Sequence, residues 1–280
     1  MISLEEYRNI INLEYTPREG KIISEKEKSA LCDDLLEVLL GERNRIAAFS
    51  YPYRTKRDLI WQYLNERPPA PVSADFLEKQ DRLFMSETLE RGVVPLDNLE
   101  FGGGIALWQG DITLLAADAV VNAANSALLG CFIPHHSCID NVIHSRAGVQ
   151  MRLDCSKIMG LQGEPEPSGC AKITLAYNLP SKYVIHTVGP MVGLSVTDED
   201  RRKLRSCYIA CLNLAREMGL ESVAFCCIAT GIFGFPSDEA AAIAVGAVRS
   251  WLLQNRYPVR VVFDVFLDRD RKIYEEILHS

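Results

Sequence analysis

The sequence has no apolar run approaching the roughly 18 residues of a membrane-spanning helix, so nothing in it argues for a bilayer protein. No secretory leader is expected either: the first residues, MISLEEYRNIINLEY, are acidic and lack the basic start, apolar stretch and small-residue cleavage site that a leader needs. A cytoplasmic protein is the expectation. Positive charge is short too, with 30 Lys and Arg against 37 Asp and Glu and a net charge of −7, which argues against broad electrostatic capture of nucleic acid. A small anionic ligand is not excluded, because backbone N–H groups at helix starts and in glycine loops bind phosphate whatever the net charge. Neither an internal repeat nor a low-complexity tract is present.

What is there is globular: 48% of residues are hydrophobic, 24% are charged, and the length of 280 residues suits one large α/β domain with a smaller module. The nine cysteines are odd in number and sit largely in apolar stretches such as AFCCIAT, which reads as buried thiols in a reducing compartment rather than a disulfide framework. Residues 1–95 read as a helical module. SEKEKSALCDDLLEVLLGE spaces its leucines helically after a Ser24 cap and ends at Gly41; TKRDLIWQYLNER is stopped by Pro68 and Pro69, and SADFLEKQDRLFMSETLERG by Gly92. From Ile105 the pattern changes to short β-branched runs, IALWQ, DAVVNAA, KITLAY, YVIHTVG, SVAFCCIAT and RVVFDVFL, with helices expected over 138–159, 200–218, 237–254 and 269–279. This alternation predicts an α/β domain over residues 96–280, with helices on both faces of a sheet and ligands at loops leaving the C-terminal strand ends.

Four loops carry the chemistry. Gly110-Asp111-Ile112-Thr113 follows a strand and offers a carboxylate beside an exposed N–H, suited to the amine of adenine, or simply a turn capped by Asp111. Val120-Val121-Asn122-Ala123-Ala124-Asn125 ends in two asparagines that could orient sugar hydroxyls without bringing charge, or turn the chain. Ala229-Thr230-Gly231-Ile232-Phe233-Gly234-Phe235-Pro236 joins a strand to a helix, where glycines let backbone amides approach a diphosphate and an aromatic ring could pack on a sugar.

The remaining loop, Cys131-Phe132-Ile133-Pro134-His135-His136-Ser137-Cys138, packs two thiols and two imidazoles into eight residues. These are the donors zinc prefers: three of them leave a fourth position open for water or substrate, as in a catalytic site, while a fourth protein ligand would make the site structural. On residue chemistry alone both histidines are candidates. Asp140 follows at once, close enough to act as a base.

Together these loops resemble the macrodomain family, the ADP-ribose-binding fold. The likeness is strongest at Ser168-Gly169-Cys170-Ala171-Lys172-Ile173-Thr174 and from Asn178-Leu179-Pro180 through Tyr183-Val184-Ile185-His186-Thr187-Val188-Gly189-Pro190, which is similar to the MacroD-type hydrolases. The Cys131 to Cys138 segment, where those proteins carry a short glycine-rich loop, resembles the zinc-containing macrodomains encoded beside a sirtuin-type ADP-ribosyltransferase, and residues 1–95 are similar to their helical extension.

The resemblance implies a three-layer α/β/α domain with a mixed sheet. It implies Asp111 and the Ile112 amide on adenine, Asn122 and Asn125 of the asparagine motif at the ligand with Asn125 on the distal ribose, and Thr230, Gly231, Ile232, Phe233 and Gly234 around the diphosphate. Cys131, His136 and Cys138 would bind zinc, leaving His135 as a neighbour, and Asn125 and Asp140 would be catalytic. Ala229 stands where related loops often carry serine, so a hydroxyl contact is lost there. The implied activity is a zinc-dependent, monomeric hydrolase that removes mono-ADP-ribose from acidic side chains of a modified protein, with a lipoyl-carrier protein of the glycine-cleavage H type as substrate. A binding module that reads ADP-ribose without cleaving it, and a deacetylase of O-acetyl-ADP-ribose, are the competing functions.

Overall fold

The computed structural model describes residues 1–43 and 51–279. Four helices come first: α1 (Leu4–Tyr7), α2 (Glu25–Gly41), α3 (Tyr53–Glu66) and α4 (Ala74–Arg91). Short strand β1 (Val94–Pro95) leads into β2 (Ile105–Gln109), β3 (Leu115–Ala116) and β4 (Ala119–Ala124), then α5 (Ile139–Ala147) and α6 (Val149–Gln162). The chain closes with β5 (Ala171–Leu175), β6 (Tyr183–Val188), α7 (Asp198–Glu217), β7 (Ser222–Phe225), α8 (Ser237–Asn255), β8 (Arg260–Val265) and α9 (Asp268–His279).

Local chemistry accounts for most boundaries. Ser24 accepts from Glu27 N while the Glu27 carboxylate reaches back to Ser24 N, a capping box that starts α2, and Ser73 accepts from Phe76 N to start α4. The single helix expected over 138–159 is two, α5 and α6. Gly148 stands between them at φ +104°, a conformation that L side chains avoid, and a Cβ there would lie 2.5 Å from Gln80 Nε2. The strand expected over SVAFCCIAT ends at Phe225, where its pairing with β4 stops at Val121.

The six-stranded sheet has the order β2-β8-β7-β4-β6-β5, with β5 antiparallel to β6 and the remaining neighbours parallel. It is the mixed sheet of a three-layer α/β/α fold. The buried residues of β4, β6, β7 and β8 form its core with those of α5 to α9, and Leu4, Tyr7, Ile11 and Leu13 from the N-terminus join that same core. Tyr7 Oη accepts from Ile173 N at 2.9 Å, satisfying a donor on the edge strand β5. Helices α2, α3 and α4 build a separate core around Leu35, Leu39, Ile60, Leu83 and Phe84. Among the described residues, no helix is long and apolar enough to cross a membrane.

Candidate active site

The loops singled out in the sequence leave the C-terminal ends of β2, β7 and β4, which stand in that order along the sheet with β8 between the first two. All four strands run parallel, so the loops share one edge.

Strand β4 delivers two asparagines to one carboxylate. Asn122, with no exposed surface, donates from Nδ2 to Asp140 Oδ1 at 2.8 Å and has the same atom 3.1 Å from His186 Nδ1. Asn125, just past the strand, donates to Asp140 Oδ2 at 3.2 Å and to Gly130 O at 3.0 Å, while its Oδ1 accepts from Ala127 N at 2.9 Å. Asp140 itself is buried in the first turn of α5. The helix N-terminus favours its ionised form, yet burial prevails and raises the carboxyl to about 6, against the pull of Asn122 and Arg152. One turn on, His144 Nε2 lies 3.5 Å from Asp140 Oδ1. Burial, with His186 and Arg152 nearby, holds its pKa well below the ordinary histidine value, so the ring is neutral and makes a packing contact rather than an ion pair.

Gly130 opens the cysteine-histidine loop at φ +78°, and a Cβ there would come within 2.9 Å of the His144 ring. The chain then folds back, so that ligand atoms of Cys131, His136 and Cys138 all lie within 4.8 Å of one another. Cys131 Sγ is 3.5 Å from His136 Nδ1. Tetrahedral zinc, with bonds of about 2.3 Å to sulfur and about 2.0 Å to nitrogen, needs its ligand atoms roughly 3.5 Å apart, so these three residues fit such an ion. Burial pushes the Cys138 thiol up to about 11, and Cys131 and Asp140 push the same way; a cation between the sulfurs would reverse that. His135 is directed elsewhere. Its ring meets Trp61 edge-on with centroids 5.6 Å apart, and its N–H donates to Asn65 Oδ1 at 3.0 Å.

After β2, Asp111 Oδ1 accepts from Thr113 N at 3.0 Å and from Thr113 Oγ1 at 2.6 Å, capping the short turn Ile112–Leu114. Its other oxygen pairs with Arg91 Nη2 from the end of α4, and its side chain remains 32% exposed. Ile112 is buried. After β7, Ala229 adopts φ +66° and Gly234 φ +72°, and Phe235 N donates to Ala229 O at 3.0 Å, closing a tight loop. Within it Thr230 Oγ1 donates to Cys227 O at 3.1 Å, Gly231 and Ile232 are exposed, and half-buried Phe233 accepts at its backbone O from Val192 N at 2.8 Å.

Comparison with known proteins gives the family. The Macro domain family model matches residues 121–244. A protein-ADP-ribose hydrolase of Staphylococcus aureus (strain MSSA476) is 51% identical over 256 residues, covering 90% of this chain and 96% of its own. One from Treponema medium is 44% identical over 251 residues, covering 87% and 96%.

The chain belongs to the macrodomain family.

Its full-length relatives place it in the hydrolase branch, so this macrodomain is an enzyme. A solved Trypanosoma brucei macrodomain in complex with ADP-ribose superposes with a TM-score of 0.60 at 29% identity, covering 75% of this chain and 92% of that one. Several residues at the macrodomain site escaped sequence reasoning. Asn65, Arg91 and Trp61 come from the helical module, and Asn65, more than a quarter-turn round α3 from Leu64, had no local pattern to mark it as buried. Nothing in the sequence marked Arg91 as a partner of Asp111.

Proposed function

We propose that this macrodomain hydrolyses the bond joining mono-ADP-ribose to acidic side chains of a modified protein. The observation that carries the reading is the line of three loops along one sheet edge. From β2 to β4 is three inter-strand steps of about 4.8 Å, or roughly 14 Å, enough for an elongated dinucleotide-like ligand. It would lie with adenine at Asp111 and the Ile112 amide, the diphosphate on the amides of Thr230 to Gly234, and the distal ribose at Asn125 and Phe233. In this pose Asn122 lies beneath the ligand and acts by holding Asp140.

Cys131, His136 and Cys138 would hold a zinc ion, which when bound supplies Lewis acidity beside the distal ribose. Asn125, steadied by Gly130 O, orients the sugar. Asp140 takes the proton of the attacking water and returns it to the leaving carboxylate, as the bond at the anomeric carbon breaks and the hydroxyl adds there. A carboxyl near 6 is matched to that exchange at neutral pH. The site of action is the cytoplasm and the enzyme a monomer; a lipoyl-carrier protein as substrate and a sirtuin-type transferase as its opposing enzyme extend the reading by family likeness.

The test is Cys131→Ala, assayed for zinc content, ADP-ribose binding and release of ADP-ribose from a mono-ADP-ribosylated protein. We expect loss of zinc and of turnover with binding retained. Full turnover without metal would overturn zinc dependence, and binding without any release by the wild-type protein would return it to a reader of ADP-ribose.

A further inference from the structure

The cysteine-histidine loop is gripped from outside the α/β domain. Asn65, near the end of α3 and 1% exposed, has its whole amide bonded to that loop and to α5 behind it. Its Oδ1 accepts from His135 N at 3.0 Å and from Asn141 Nδ2 at 3.3 Å, while its Nδ2 donates to Asn141 Oδ1 at 2.7 Å and to Ser145 Oγ at 2.8 Å. Asn141, the residue after Asp140, passes the grip on by donating to Ile133 O at 2.9 Å. Two backbone groups of the loop are therefore fixed, one by Asn65 and one through its partner. A second anchor runs in parallel. Arg152 on α6 donates to the carbonyls of Leu64, Asn65 and Arg67 at 2.8, 3.0 and 2.6 Å, closing the end of α3, and its guanidinium lies 4.4 Å from the Phe132 ring centroid.

The grip falls where the loop needs it. His135 adopts φ +56°, a left-handed conformation that a residue with a Cβ enters only at a cost in free energy and keeps only when its surroundings hold it there. That turn reverses the chain and returns His136 Nδ1 to within 3.5 Å of Cys131 Sγ. We propose that Asn65 is a positioning residue of the hydrolase: it holds the left-handed turn at His135, so that Cys131, His136 and Cys138 converge, and makes the helical module a working part of the active site. The inference rests on the metal reading of those three residues.

The experiment uses full-length Asn65→Ala, alone and combined with His135→Gly. Asn65→Ala should still melt cooperatively and bind ADP-ribose within about twofold of wild type, because the adenine and diphosphate loops are untouched. Zinc affinity, read by chelator competition, and kcat should each fall by about 10–100-fold, the range for removing a partner that orients a metal ligand. Glycine accepts a positive φ without penalty, so His135→Gly should restore most of both in the Asn65→Ala background. Wild-type kcat and zinc affinity in Asn65→Ala would overturn the proposal. So would a joint loss of cooperative melting, ADP-ribose binding and turnover that His135→Gly leaves unrepaired, the mark of a residue serving stability alone. Should the wild-type protein bind no zinc, the metal reading fails by itself, and kcat with its rescue still decides whether Asn65 positions the loop.

Discussion

Asn122→Ala separates a residue that touches ligand from one that holds the residue that does. Asn122 makes one hydrogen bond to a carboxylate, at 2.8 Å, and one contact with a neutral histidine, at 3.1 Å, and has no exposed surface. A hydrogen bond to an ionised partner contributes roughly 1.5–3 kcal/mol, and the bond to His186 adds about 1 kcal/mol to folding stability. If the carboxylate share is felt at the transition state, kcat falls by about 10–150-fold, at about 1.4 kcal/mol per factor of ten. Binding of ADP-ribose should change by less than about twofold, since the amide reaches the ligand only through Asp140. Single-turnover release from a mono-ADP-ribosylated protein at pH 8, set beside calorimetric titration with ADP-ribose, measures both, and cooperative melting controls for folding. Equal losses in Kd and kcat would refute the reasoning and make Asn122 a ligand contact, while an unchanged kcat would remove it from the machinery.

Two further outcomes follow from buried charge. Lys172 Nζ bonds both oxygens of Glu166 at 2.9 Å, with side chains 2% and 0% exposed, so Lys172→Met strands a buried carboxylate and should cost about 3–5 kcal/mol. That is a fall of roughly 6–20 °C in the melting midpoint; adding Glu166→Leu should recover most of it, and a fall below about 2 °C in the single variant would refute the pairing. Burial lowers His186 to about 3, against about 6.5 in the unfolded chain. The folded state refuses a proton that the unfolded state accepts, so stability present above pH 6.5 should drain away as pH falls towards 3. Melting His186→Gln at pH 7.5, 6 and 5 should show a shallower decline than wild type, and identical slopes would contradict the assignment.

Where signals are local, the sequence was readable. Ser24 and Ser73 cap their helices with partners three residues on, and β4, β6 and β7 are the apolar runs that a sheet covered on both faces requires. Boundaries failed where a neighbour decides. Cys226 to Thr230 look like strand, yet β7 pairs with β4 only as far as Val121↔Phe225 although β4 itself runs on to Ala124, and the chain turns left-handed at Ala229 against Gly189, where a Cβ would lie 2.9 Å from the Ala229 Cβ. The brief α1, with Tyr7 reaching Ile173 across the fold, had no periodicity long enough to mark it. Gly148 was legible as a glycine but not as a break, since helices tolerate one unless packing, here against Gln80, demands its φ.

The donors of the cysteine-histidine loop lie within eight residues, so the sequence alone determined that a metal-binding set was possible, just as it determined the α/β alternation and the membership of the macrodomain family. Donor chemistry could not choose between two adjacent histidines; only the family resemblance picked His136. The fold groups His136 with both thiols and turns His135 to Trp61 and Asn65. Asn122 and Asn125 were equally visible as a motif, but their convergence on Asp140 depends on β4 and α5 meeting 15 and more residues apart. Chemical identity is written locally, residue by residue. Which donor faces which acceptor is a matter of direction in space, and only packing, here of α5 against β4 on one side and α3 on the other, sets that.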